Sequence, residues 1–152
     1  LGTPVDGPRW GHLSVMLYTS IFEGWSRGAL RREDTRQLLG LAAKATVERY
    51  GALGGLCVGA VGTGAFGNEP VYRDVAELAD DVGLALAGGV TDLSLFDLGG
   101  VLKRGRAEAW LGAFTETPPA AALPAPGLRL RSLLGGARLA GGVLGAMSKL
   151  RG

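Results

Sequence analysis

Apolar positions recur along this chain with two different periods. His12–Ser20 alternates in part and holds the strand formers Val15, Leu17 and Tyr18, which predicts a first strand. Ile21–Arg32, with Gly24, Trp25 and Gly28, reads as a loop. From Arg36 to Tyr50 the spacing becomes helical. Leu38, Leu39, Ala42, Ala43, Ala45 and Val47 form one stripe, Asp34 or Thr35 is the candidate cap, and Gly51, Gly54 and Gly55 are the stop. Leu56–Val61 is a short apolar run, read as a second strand. Pro70–Ala87 places Val71, Val75, Leu78, Ala79, Val82 and Leu86 on one helical face, with Asn68 as cap and Pro70 in the first turn. Val90–Phe96 then predicts a third strand and Val101–Phe114 a third helix.

Strands alternating with amphipathic helices predict a three-layer α/β/α domain with a short, mostly parallel sheet, over residues 1–115. Three strands are few, and both edges of such a sheet stay open. Further strands near the N-terminus, another segment or another chain are expected to complete it. Residues 116–127, with Pro118, Pro119, Pro124 and Pro126 among alanines, read as a semi-extended linker.

Composition narrows this picture only a little. The 152 residues, 47% apolar, suit one domain of ordinary size. No apolar run reaches the roughly 18 residues of a membrane-spanning helix, and Leu1–Pro8 is not a signal peptide. Cys57 is the only cysteine and His12 the only histidine, which excludes a disulfide framework and argues against a zinc site. A cytoplasmic protein without metal or cofactor is expected. Charge is uneven. Residues 128–152 carry Arg129, Arg131, Arg138, Lys149 and Arg151 and no acid, a net of +5; elsewhere 11 basic and 14 acidic groups leave −3. The body is therefore not a nucleic-acid surface by charge.

The tail at 128–152 is cationic and potentially amphipathic, with Leu130, Leu133, Leu134, Ala137, Leu144 and Met147 on one broad helical face. Its glycines weaken it as an isolated helix by about 1 kcal/mol each. Ala137, Gly141 and Gly145 recur every fourth residue, which would let another helix approach closely. It can dock on the chain's own body, on a partner protein, or on an anionic membrane surface. The proline linker favours an independent docking element.

The sharpest local motif is Gly62-Thr63-Gly64-Ala65-Phe66-Gly67, spaced G-x-G-x-x-G between a predicted strand and a predicted helix. Such a turn can cradle a phosphate with backbone N–H groups and a helix N-terminus. A dinucleotide-binding loop is one reading. Pro70 would interrupt its helix, and the acidic residue expected about 20 positions on is missing. A turn without any ligand is another reading. Asp97, Gly99 and Gly100 follow the third strand at the same sheet edge and form a second candidate site.

Val61–Gly67 with Pro70 after it resembles the second phosphate-facing loop of macro domains. The similarity extends over roughly residues 12–115 and corresponds to the C-terminal half of such a domain. The macro-like N-terminal domains of leucyl aminopeptidases are also similar, through Gly24–Arg36. The resemblance implies ADP-ribose or a related nucleotide phosphate as ligand, Gly62, Thr63, Gly64, Ala65, Phe66 and Gly67 as contacts, and Phe66 against the distal ribose. The family's adenine-contacting aspartate, first glycine loop and hydrolytic asparagine have no counterpart here, so hydrolysis is not implied.

Other motifs carry less. Gly24-Trp25-Ser26-Arg27-Gly28 has the G-x-S-x-G form of a nucleophile elbow. Glu23 breaks the strand that should lead into it, and His12 precedes the serine, so a loop with a capping serine is expected. Arg31, Arg32, Glu33 and Asp34 read as a solvated helix start, Glu77, Asp80 and Asp81 as a solvated acidic face, and Lys103, Arg104 and Arg106 as an exposed basic turn. The expectation is a non-catalytic binding or adaptor module for a nucleotide phosphate. The alternative is an interaction subunit, a homo-oligomer or a partner of another protein, that docks through its open sheet edge and cationic tail.

Overall fold

The computed structural model describes residues 10–63 and 66–136. Three parallel strands, β1 (Leu13–Met16), β2 (Gly54–Gly59) and β3 (Leu93–Phe96), lie in the order β1-β2-β3. Helices pack around this short sheet, so the chain is a small α/β fold, as the alternating pattern predicts. Val15 pairs with Leu56, and Leu56 with Leu93. In an extended strand alternate residues share a face. The face carrying Val15, Leu56, Val58, Leu93 and Leu95 meets Leu39 and Ala43 of α2 (Arg32–Tyr50) and Leu78, Val82 and Ala85 of α3 (Val75–Ala87) in one core. Ser14, Met16 and Ser94 belong to the opposite face and are exposed, Met16 by 71%.

Several boundaries differ from the pattern. The first strand is shorter than His12–Ser20, and residues Thr19–Trp25 form a helix, α1, inside the expected loop. Thr19 and Ser20 are buried there because their hydroxyls find partners: Thr19 donates to Asp81, and Ser20 donates to the Pro70 carbonyl at 3.0 Å. α2 starts earlier than predicted. Asp34 acts from inside its first turn, accepting the Arg31 N–H at 2.9 Å, rather than as the preceding cap. α3 begins at Val75, capped by Asp74 on the Glu77 N–H, and not at Pro70 with Asn68. The segment before it is held extended because Tyr72 donates its N–H to Ala60 at 2.8 Å. The last predicted helix is two, α4 (Leu98–Lys103) and α5 (Ala107–Thr115). Gly105 and Arg106 between them both have left-handed backbones, with φ of 71° and 54°, which no helix continues through.

The proline-alanine stretch lies along the body. Ala120 donates to the Gly83 carbonyl at 2.9 Å, Leu123 packs over Gly40 in α2, and the Gly127 N–H reaches the Gln37 side chain at 2.8 Å. A helix over 128–136, α6, follows with Leu130 buried. Residues 128–136 thus dock on the chain's own body; Ala137, Gly141, Gly145 and the rest of the tail lie outside the described residues. The Arg129 guanidinium meets Asp34 at 2.9 Å and the Ala29 carbonyl at 2.6 Å. The Arg31 N–H, with Arg129 beside it, holds the Asp34 carboxyl below the usual range against the opposing effect of burial. A depressed carboxylate adds stability above its unfolded value near 3.9, and that stability is lost as pH falls through the lower folded value. Thermal melts of wild type and Asp34→Asn should therefore differ most near neutrality and converge on acidification below about pH 4. A gap that stayed constant with pH would mean that the charge plays no part.

Candidate functional site

β2 and β3 end side by side, and the turns that leave them face each other. In open parallel sheets this carboxyl edge is where ligands bind. Both strands leave through a cis peptide, Gly59–Ala60 and Phe96–Asp97. Beyond them Val61, Thr63, Val71, Asp97, Gly99 and Lys103 surround a cleft of about 310 Å³. Its two sides touch backbone to backbone: a Cβ placed on Gly100 would lie 2.1 Å from the Gly62 nitrogen, and one on Gly62 would lie 2.5 Å from the Gly100 Cα. Only glycine allows that approach at these two positions.

Asp97 caps α4 by accepting the Gly100 N–H at 3.0 Å. Thr63 and Lys103 are exposed. The next part of the glycine turn is closed by Glu69, which is buried and accepts the Phe66 N–H at 3.0 Å. Gly67 has φ of 74°, the left-handed value that favours glycine. Phe66 is 78% exposed. Gly64 and Ala65, at the centre of the predicted turn, lie outside the described residues.

Gly62, Thr63, Asp97, Gly99 and Gly100 are therefore brought to one place, as two separate sequence signals placed them. The helix expected to point at the turn does not begin there. α3 starts further on, and one of its first-turn N–H groups, that of Glu77, is met by the Asp74 carboxylate. Lys103 was the weaker signal, part of an expected basic turn, yet it lines the cleft.

Behind the cleft lies a polar frame that the pattern did not reveal. Arg104 is exposed, as expected of a basic turn, but it also has partners that the pattern did not show. Its guanidinium donates to the carbonyls of Tyr72 (2.6 Å) and Val61 (3.2 Å) and lies 4.9 Å from the Trp110 ring centroid. It thereby ties the glycine turn, the extended segment before α3, and α5. The Ser20 hydroxyl accepts the Ala60 N–H at 2.9 Å while donating to Pro70.

Further in, Asp81 is fully buried, contrary to the expected solvated acidic face. It accepts from Thr19, from Tyr72 at 2.7 Å and from Arg32 at 2.7 Å. Asp80 accepts from Arg32 and Arg36 at 3.0 and 2.8 Å. Burial raises the Asp81 pKa, with Arg32 and the hydroxyls pulling the other way. Burial and the neighbouring carboxylate push the Tyr72 phenol well above its ordinary value. These groups join α1, α2 and α3.

Ser26 is held within its own loop. Its oxygen accepts the Leu30 N–H at 2.9 Å and the hydroxyl lies 2.8 Å from the Glu23 carbonyl, so it closes a loop as a capping serine would. Cys57 is half-buried, 3.6 Å from the Tyr18 hydroxyl. Among the described residues no group of three or more His, Cys, Asp or Glu side chains is placed to hold a metal, and no helix is long and apolar enough to cross a membrane. No protein-family model matches the chain, and no curated protein or solved structure matches it.

Proposed function

We propose that the chain is a non-catalytic binding or adaptor module that takes a nucleotide phosphate, with ADP-ribose as the first candidate, at the carboxyl edge of β2 and β3. The observation that carries this reading is the meeting of Gly62 and Thr63 with Asp97–Gly100 and Lys103 around one cleft. The α3 N-terminus is already capped by Asp74, so the anion would rest on N–H groups of the glycine turn and on the Lys103 ammonium. Thr63 adds a hydroxyl. The Asp97 carboxylate, which accepts the Gly100 N–H through one oxygen, would accept from a ribose hydroxyl through the other.

Titration calorimetry with ADP-ribose tests this. Micromolar binding is expected, with Lys103→Glu weakening it by at least about tenfold. Lys103 is exposed, so the variant should fold unchanged. No heat from the wild-type chain would end the reading.

A second reading is favoured by the exposed edge-strand residues on one face of the sheet. Parallel sheets are ordinarily covered on both faces. Here Ser14, Met16 and Ser94 stay exposed, and neither edge strand, Leu-Ser-Val-Met nor Leu-Ser-Leu-Phe, carries a charge to block pairing. An interaction subunit would use that surface. Light scattering on the same sample separates the two: a mass above the monomer without ADP-ribose binding supports the second.

A further inference from the structure

Away from the cleft, α1 presents its aromatic side to solvent. Thr19 and Ser20 turn inward to the polar frame. Ile21, Phe22 and Trp25 of the next turn, with Leu30, line an almost wholly apolar groove of about 350 Å³. Phe22 is 44% and Trp25 53% exposed. Two exposed aromatics on one short helix are more than scatter when they share a concave surface.

The loop that walls this groove is fixed. Ser26 accepts the Leu30 N–H, Ala29 donates to the Ser26 carbonyl at 3.0 Å, and Arg129 holds the Ala29 carbonyl from α6. Arg27 and Gly28 have φ of 51° and 89°, so a non-glycine residue is kept in the left-handed region. Arg27 and Arg31 follow the lining residues Ser26 and Leu30 directly in the chain. Both are exposed, and neither guanidinium has an ion pair or hydrogen bond with the described residues. The acids nearby are engaged: Glu23 pairs with Arg73, Glu33 accepts from Gln37 and pairs with Arg36, and Asp34 pairs with Arg129 while also feeling the Arg31 charge. Among the described residues two exposed arginines therefore adjoin the lining of the apolar slot along the chain, and Arg31 also acts on the Asp34 carboxylate.

We infer that the α1 groove is a docking site for an acidic amphipathic segment of a partner protein. Bulky apolar anchors spaced along a helix would enter between Phe22, Trp25 and Leu30, and flanking carboxylates would meet Arg27 and Arg31. This is the helix-in-groove mode, in which buried anchors give affinity and rim charges give selectivity. An anionic membrane shares the charge preference. A recessed slot favours a shaped anchor over a flat lipid surface.

Fluorescence anisotropy of a labelled synthetic peptide tests the inference. The peptide has about 16 residues, leucines at helical i, i+3, i+4, i+7 spacing and glutamates elsewhere. Saturable micromolar binding is expected. Trp25→Ala should weaken it by about tenfold or more. The double variant Arg27→Glu, Arg31→Glu should lose the glutamate peptide and gain its lysine counterpart. Unchanged thermal melts would show that both variants fold. The absence of saturable binding by the wild-type chain, or binding indifferent to Trp25→Ala, overturns the inference. So does binding of phosphatidylserine vesicles with no binding of the peptide.

Discussion

Replacing Arg32 by alanine should lower the free energy of unfolding by about 3–5 kcal/mol at neutral pH, the largest effect expected of any single truncation outside the apolar core. Asp81 is completely buried, and Arg32 supplies the cation that faces it at 2.7 Å. The two hydroxyls of Thr19 and Tyr72 remain in the variant, but they cannot neutralise a carboxylate held away from water. The expected signature is coupling. Asp81→Asn in the same chain keeps an acceptor for the hydroxyls and removes the stranded charge, so the double variant should be more stable than Arg32→Ala alone.

The pH dependence has a definite sign. Loss of the cation raises the Asp81 pKa further, so the folded variant favours the protonated acid more than the unfolded chain does. Its deficit against the wild type therefore grows as pH rises from the wild-type folded value, itself already raised by burial, toward the higher folded value of the variant. Urea titrations across that range measure it. A deficit below about 1 kcal/mol at neutral pH would mean that the pair is solvated like an ordinary surface bridge.

Gly100→Ala should be nearly as damaging, by about 3 kcal/mol, at the high end for overpacking. Its Cβ would meet Gly62 backbone atoms at 2.1 and 2.3 Å, and backbone cannot swing aside as a long side chain does. α4 would have to separate from the glycine turn, and Arg104 would lose its hold on the Val61 carbonyl with it. Gly62→Ala should behave alike, since its Cβ would meet Gly100 and the Asp97 carboxylate. Gly99 is the control. A Cβ there meets only one Asp97 oxygen, at 3.3 Å, so Gly99→Ala in the same helix should cost under about 1 kcal/mol. Equal melting temperatures for the Gly99 and Gly100 variants would contradict the backbone contact.

The sequence made the repeating units legible, because strand and helix periods in Leu56–Val61, Arg36–Tyr50 and the later half of Pro70–Ala87 are set by burial on one face. The ends were less legible. Pro70 looks like a helix start by local propensity, but the Tyr72 N–H bond to Ala60 and the Asp74 cap move the start to Val75. Long-range partners decided the polar residues too. Asp81 and Arg32 each sit in a charged run, Asp80-Asp81 and Arg31-Arg32-Glu33-Asp34, and nothing local distinguishes the inward member from its solvated neighbour. Within Lys103–Arg106, likewise, nothing local marks Arg104 as the cation that reaches the Val61 and Tyr72 carbonyls. For the candidate site, Gly62 and Gly100 were each conspicuous as glycines after strands. That one exists to pass the other is a property of the fold alone.

Amide NMR of the labelled chain during addition of ADP-ribose is the most direct test of the proposed cleft. Saturable shifts centred on Gly62, Thr63, Phe66, Gly67, Asp97, Gly99, Gly100 and Lys103 are expected, with the α1 groove and the exposed residues of the sheet undisturbed. Shifts centred on Ser14, Met16 and Ser94 instead, or none at millimolar ligand, would contradict it.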